Sequence, residues 1–157
     1  MNPNTLPSMK TFKEFQFGMI VFAFGVPVQI FLVTTYLLQL GNNPIPLGVL
    51  LIANSTILMS YLLFYGMTTT IENGMITITY GVGLIRKTIS IKDVKAISIV
   101  SNPWYYGWGI RFIPNGMLYN IAGSAGIELE LFSSSRVIRI GSQNIPALRD
   151  AIVKSQS

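Results

Sequence analysis

Few residues in this chain could start a reaction. Its acidic side chains are Glu14, Glu72, Asp93, Glu128, Glu130 and Asp150, and it has neither His nor Cys. That removes the commonest general base, the thiolate nucleophile and the usual soft metal ligands. No spacing forces two carboxylates together in a cleft, and Glu128 with Glu130 read as neighbours on one solvent-facing strand surface. Gly81-Val82-Gly83 lacks the further glycine and the helix that a dinucleotide loop requires, so it reads as a turn. No catalytic residue, metal site or cofactor is expected, and the chain reads as a non-enzyme.

Binding residues are easier to find. Trp104, Tyr105, Tyr106 and Trp108 lie between Pro103 and two glycines. Such rings give large contact area at low entropic cost, as interface anchors do. They also suit a membrane headgroup zone, and they equally suit the open end of a small β core. Arg111 follows, placed to hold an anion or to stack on a ring. Arg86, Lys87, Lys92 and Lys95 form the basic group. Beside an anionic leaflet each contributes about 1 kcal/mol, whereas on a free face they only solvate. The net charge is +5, yet no basic block is interleaved with aromatics, so nucleic acid is not an expected partner.

These candidates hang on one organising stretch. From Phe15 to Ile71 there is no Asp, Glu, Lys or Arg. Two bilayer-crossing helices of about 20 residues fit into it. Gly41-Asn42-Asn43-Pro44-Ile45-Pro46 divides them, which predicts helices over 15–40 and 47–65 and a hairpin over 15–66. Residues 1–14 read as a tail, with Lys10, Phe12, Lys13 and Phe15 as an interface anchor. Lys10 and Lys13 before the hairpin and Arg86 and Lys87 after it place both termini in the cytoplasm. Pro27, beside Gly25, is expected to bend the first helix. Gln29, Gln39, Asn54, Ser55 and Ser60 are expected to turn toward other helices.

From residue 67 to 157 the period changes to two. Asn73-Gly74 predicts a hairpin pairing Ile71 with Ile76 and Thr69 with Ile78. Ile71, Ile76, Ile78 and Tyr80 then share one face, and Thr68, Thr70, Thr77 and Thr79 the other. Asn115-Gly116 is expected to pair Phe112 with Tyr119 and Ile110 with Ile121, leaving Arg111 beside Asn120. A turn at Gly123-Ser124-Ala125 is expected to place Ile127, Leu129 and Leu131 on the same apolar face as Phe112 and Tyr119, and one at Ser134-Ser135 to set Leu131 opposite Ile138 and Glu130 opposite Arg139. The last segment, 144–155, reads as a helix capped by Asn144, with Pro146 in its first turn and Leu148, Ala151 and Ile152 on its apolar face. The expected whole is a helical hairpin plus a mainly β domain of about seven antiparallel strands and a closing helix.

That order, with Asn102-Pro103-Trp104-Tyr105-Tyr106-Gly107-Trp108-Gly109-Ile110-Arg111, Leu118-Tyr119-Asn120-Ile121 and Gly123, resembles the bacterial pleckstrin-homology-like (PH-like) membrane proteins. The resemblance implies an antiparallel β sandwich or partly open barrel closed by the C-terminal helix, in the bacterial cell membrane. It also implies a cytoplasmic, non-catalytic domain whose partners are mostly unknown; the short tether and the aromatic loop are what predict a module that binds a protein partner or its own copies. It does not carry phosphoinositide binding: the first hairpin loop is Glu72-Asn73-Gly74 without basic residues, and the closing helix has no Trp. A small oligomeric channel or transport subunit is the alternative expectation.

Overall fold

A computed structural model describes residues 10–156, and only the backbone of residues 10 and 11. Of the tail expected at residues 1–14, residues 1–9 lie outside this range, as does the side chain of Lys10. The chain opens with strand β1 (Lys10–Phe17) and then forms two helices, α1 (Met19–Leu37) and α2 (Leu47–Phe64). Strands β2 (Gly66–Glu72), β3 (Met75–Tyr80) and β4 (Ile85–Ser90) follow. Next come β5 (Val94–Ser101), β6 (Gly109–Ile113), β7 (Gly116–Asn120), β8 (Ala125–Leu131) and β9 (Val137–Gly141), and helix α3 (Ile145–Gln156) ends the chain.

Both α1 and α2 are long and apolar enough to cross a membrane, and only 6% of either apolar stretch is buried. A soluble core helix would show the reverse. α1 runs unbroken through Pro27. Gly25 has a packing role: a Cβ there would lie 2.6 Å from the Tyr61 hydroxyl, so the bare backbone leaves room for the Tyr61 ring. Tyr61 in turn stacks on Phe22 at 4.6 Å. Asn54 and Ser60 do not need another helix, because each donates to the carbonyl four residues earlier, Leu50 and Thr56.

The first helix was expected from residue 15, but residues 10–17 are a strand. β1 pairs with β2 antiparallel, with Phe17 opposite Gly66 and Glu14 opposite Thr69. Strand pairing thus joins the two ends of the helical hairpin, and Gly18 N–H donates to Tyr65 O at 2.9 Å. Phe12, Glu14 and Gln16 share the strand face away from the exposed Lys13, Phe15 and Phe17, and of these Gln16 is buried. Glu14 accepts from Gln143 N–H (2.8 Å), Asn144 N–H (3.1 Å) and Ser142 Oγ (2.7 Å). Gln16 donates to Gly141 O at 2.8 Å. A segment preceding the hairpin therefore ties down the corner between β9 and α3.

The strands form two sheets, β1-β2-β3-β4 and β5-β8-β9-β7-β6, without closing a barrel. Among the described residues there are nine strands instead of about seven, and one pair, β7 with β9, is parallel where all were expected antiparallel. Their inner faces and α3 enclose one core of Ile71, Ile76, Ile78, Ile127, Leu129, Ile140, Leu148 and Ile152, all fully buried. The first hairpin has the expected register, Ile71 opposite Ile76 and Thr69 opposite Ile78. Asn73 (φ 52°) and Gly74 (φ 71°) both take the left-handed conformation that a tight two-residue hairpin turn demands. Asn144 caps α3 as expected, accepting from Ala147 N–H at 3.3 Å, and Leu148, Ala151 and Ile152 are its buried face.

Two registers differ from expectation, each by two residues. In β6–β7, Ile110 pairs with Tyr119, Phe112 with Met117 and Arg111 with Leu118, so Arg111 is not beside Asn120. The turn is Pro114-Asn115. Gly116 lies inside β7, where a Cβ would collide with the Val137 backbone, so this glycine serves the parallel β7–β9 contact and not the turn. In β8–β9, Leu129 faces Ile138 and Glu128 faces Arg139. The connection is longer than Ser134-Ser135 because Phe132 N–H donates to Asp93 O and Ser133 N–H to the Asp93 carboxylate, both at 2.9 Å.

Replacing Glu14 by Ala is expected to destabilise the folded chain by about 2 kcal/mol, since charged hydrogen bonds to backbone donors are lost together. Glu14→Gln, which keeps an acceptor, should lose less. Thermal unfolding in mild detergent measures both, and an unchanged midpoint for Glu14→Ala would mean that β1 does not anchor this corner.

Candidate functional site

The aromatic segment begins where β5 ends. Asn102 N–H donates to Ser124 O at 2.6 Å, and a short turn of 3-10 helix, Trp104–Tyr106, follows. Gly107 (φ 70°) and Gly109 (φ 91°) both take backbone conformations that side chains disfavour, and between them they lead the chain into β6. The base of the loop is pinned to the outer face of the second sheet. There the Arg139 guanidinium lies 5.9 Å from the Tyr106 ring centre and donates through Nε to Glu128 at 2.6 Å. Its Nη1 reaches Asn102 Oδ1 at 3.4 Å. Leu118, on the same outer face, is fully buried.

The tip of the loop is presented outward. Trp104 is 84% exposed and Tyr105 67% exposed, with the rings edge-to-face at 6.2 Å. Phe112, on the edge strand β6, is 85% exposed. None of these three belongs to the core, which α3 completes. Trp108 is less open and leans toward the base of the helical hairpin. Arg111 Nε donates to Trp108 O at 3.0 Å. Among the described residues no carboxylate lies within ion-pairing distance of Arg111.

The basic residues divide into two groups. The turn before β4 abuts α2, since Val82 N–H donates to Leu62 O at 3.2 Å, so Arg86 and Lys87 lie toward the hairpin. Lys92 follows the opposite end of β4, where Ile91 N–H donates to Gly74 O at 2.9 Å. The strand between them covers about 13 Å. Lys95 pairs loosely with Glu130 at 3.9 Å. The carboxylates are engaged singly: Glu14 by the α3 corner, Asp93 by Ser133, Glu128 by Arg139.

A feature that the sequence did not point to lies beside the aromatic loop. Between the base of α1 and α2 and the edge strand β6 is an open, mainly apolar cavity of about 560 Å³. Val21, Phe24 and Val28 from α1 and Ile57, Ser60 and Tyr61 from α2 line it, and Trp108 and Arg111 border it from the β domain. No local spacing signals it, because its walls come from segments about 30 residues or more apart whose pairing depends on β1.

Tyr80 joins this region to the core. Its hydroxyl donates toward Gly109 O (3.4 Å) and Asn120 O (3.5 Å), and its ring meets Phe64 edge-on at 6.0 Å. Burial first, then the neighbouring Tyr119, pushes its phenol far above the ordinary value, and burial raises Tyr119 as well.

Compared with known proteins, the chain matches no family model and none of the curated proteins.

The raised Tyr80 phenol sets an alkaline limit. Its folded-state value lies above the unfolded one, so its contribution is complete below about pH 10 and is lost as pH rises further. Tyr80→Phe should therefore flatten the fall in melting temperature between about pH 9 and 12. An equally steep fall in the variant would place the alkaline-sensitive group elsewhere.

Proposed function

We propose that this chain is a membrane-anchored, non-catalytic interaction module of the PH-like kind. The hairpin crosses the bilayer, both termini are cytoplasmic, and the β domain engages a protein partner or a second copy of itself through its aromatic rim. The observation that carries this reading is the exposure of Trp104, Tyr105 and Phe112 on a domain whose core is complete without them. Exposed large aromatics on a pinned loop lose little conformational entropy on docking, as binding anchors do.

Other features support the same reading. Two sheets with a C-terminal helix packed against one core are consistent with a PH-like sandwich. The exposed apolar helices favour lipid as their solvent. Lys13, Arg86 and Lys87, on the domain side of the hairpin against an uncharged inter-helix loop, favour a cytoplasmic domain.

Orientation is testable without background, because the chain has no native Cys. A membrane-impermeant maleimide added to intact cells should label Asn42→Cys, in the inter-helix loop, and should label Ser135→Cys only after permeabilisation. The reverse pattern would overturn the orientation. For the contact itself, a photo-crosslinking residue at position 104 should give one discrete protein adduct in cells, absent when Tyr105→Ala and Phe112→Ala are combined with it. If irradiation gives no protein adduct, the rim is not a protein contact.

A further inference from the structure

We infer that the cavity between the hairpin base and β6 is a binding site for one anionic glycerophospholipid, its acyl chain along α1 and α2 and its phosphate at Arg111. The cavity volume, about 560 Å³, lies in the usual range for ligand sites of about 300–1,000 Å³. From Val21 to Val28 its wall extends about 10 Å along α1, and every residue named there is apolar. This is the environment of a hydrocarbon chain.

Of its polar side chains Ser60 is satisfied by Thr56 O, whereas Arg111 at the β-domain border and Tyr61 on α2 keep unused bonding capacity. The Arg111 guanidinium spends only Nε on Trp108 O, and no described carboxylate neutralises it. The Tyr61 hydroxyl, another lining group, is buried without a hydrogen-bond partner. A buried hydroxyl in that state carries an uncompensated desolvation cost, which a lipid ester carbonyl would remove by accepting from it. A cation prefers a phosphate to a neutral occupant, and a guanidinium offers that phosphate two parallel donors. An apolar helix from a partner would leave both Arg111 and Tyr61 unsatisfied, which favours a lipid.

The site depends on the hairpin lying in lipid and needs no protein partner. The test uses the full chain in dodecyl maltoside with Trp104→Phe, so that Trp108 is the one remaining tryptophan. Phosphatidylglycerol with brominated chains should quench Trp108 saturably, at a mole fraction about tenfold lower than equally brominated phosphatidylcholine, the value of one charge-assisted contact. Arg111→Gln should erase that preference, and Val28→Phe with Ile57→Phe should remove the saturable phase while circular dichroism stays unchanged. Soluble glycerol phosphate should not compete, which separates a lipid from a free phosphate.

Equal quenching by the two lipids in the parent, or an undiminished preference in Arg111→Gln, overturns the proposal. The parent comparison needs no variant at the site to fold. A chain that binds neither lipid selectively but requires detergent loses this site and keeps the membrane reading. A chain soluble without detergent loses both.

Discussion

The pairing of β1 with β2 is the constraint from which the remaining geometry follows. One strand enters the hairpin and the other leaves it, so their ladder holds Gly18 against Tyr65 and fixes both helix bases to one sheet. A single-strand tether would let the β domain swivel. Two hydrogen-bonded strands remove that freedom, and Glu14 and Gln16 extend the restraint to the β9–α3 corner. The same ladder positions the α1–α2 base beside β6 and thereby creates the cavity. Its closure entropy grows only slowly with the length of the inserted hairpin, so a long insertion between paired strands is tolerable.

That strand is also where the sequence was least legible. Along β1 the usual pattern is inverted: Glu14 and Gln16 turn toward Ser142, Gly141 and α3, while Phe15 and Phe17 face outward. The outward rings pack on the hairpin base, Phe17 against Phe22 at 5.2 Å and Phe15 near Tyr65 at 6.2 Å. Cations alternating with aromatics beside an apolar helix look identical whether they anchor at an interface or join a sheet. The partner strand lies beyond the hairpin, and no local spacing reports it. Asn73-Gly74, in contrast, was legible because its turn demands left-handed φ at two adjacent residues. Asn115-Gly116 presents the same letters for a different reason, the close approach of Val137. The parallel β7–β9 pair has no sequence signature of its own, and it moved both neighbouring registers.

The aromatic loop illustrates the same division between local and distant causes. Its residue types announced a surface or a cap, and the choice between them depended on whether the core needed them. α3 supplies Leu148, Ala151 and Ile152 to that core, leaving Trp104 and Tyr105 surplus to packing. Tyr106 has a different task beneath Arg139, holding the loop against the outer sheet face. Three consecutive aromatics thus serve two ends, one at the base and two at the tip, set by which of them the sheet reaches.

Specificity follows from where polar groups remain unsatisfied. Within the hairpin, Asn54, Thr56 and Ser60 are satisfied by carbonyls of their own helix, so these groups exert little pull toward further helices. Neither helix carries an Asp, Glu, Lys, Arg or His side chain. At the junction of hairpin and β domain the Tyr61 hydroxyl is buried without a partner and Arg111 keeps free donors, while the uncovered rings of Trp104 and Phe112 stand on the β domain. At each of these positions the chain still gains from a new contact, which the satisfied polar groups of the hairpin do not.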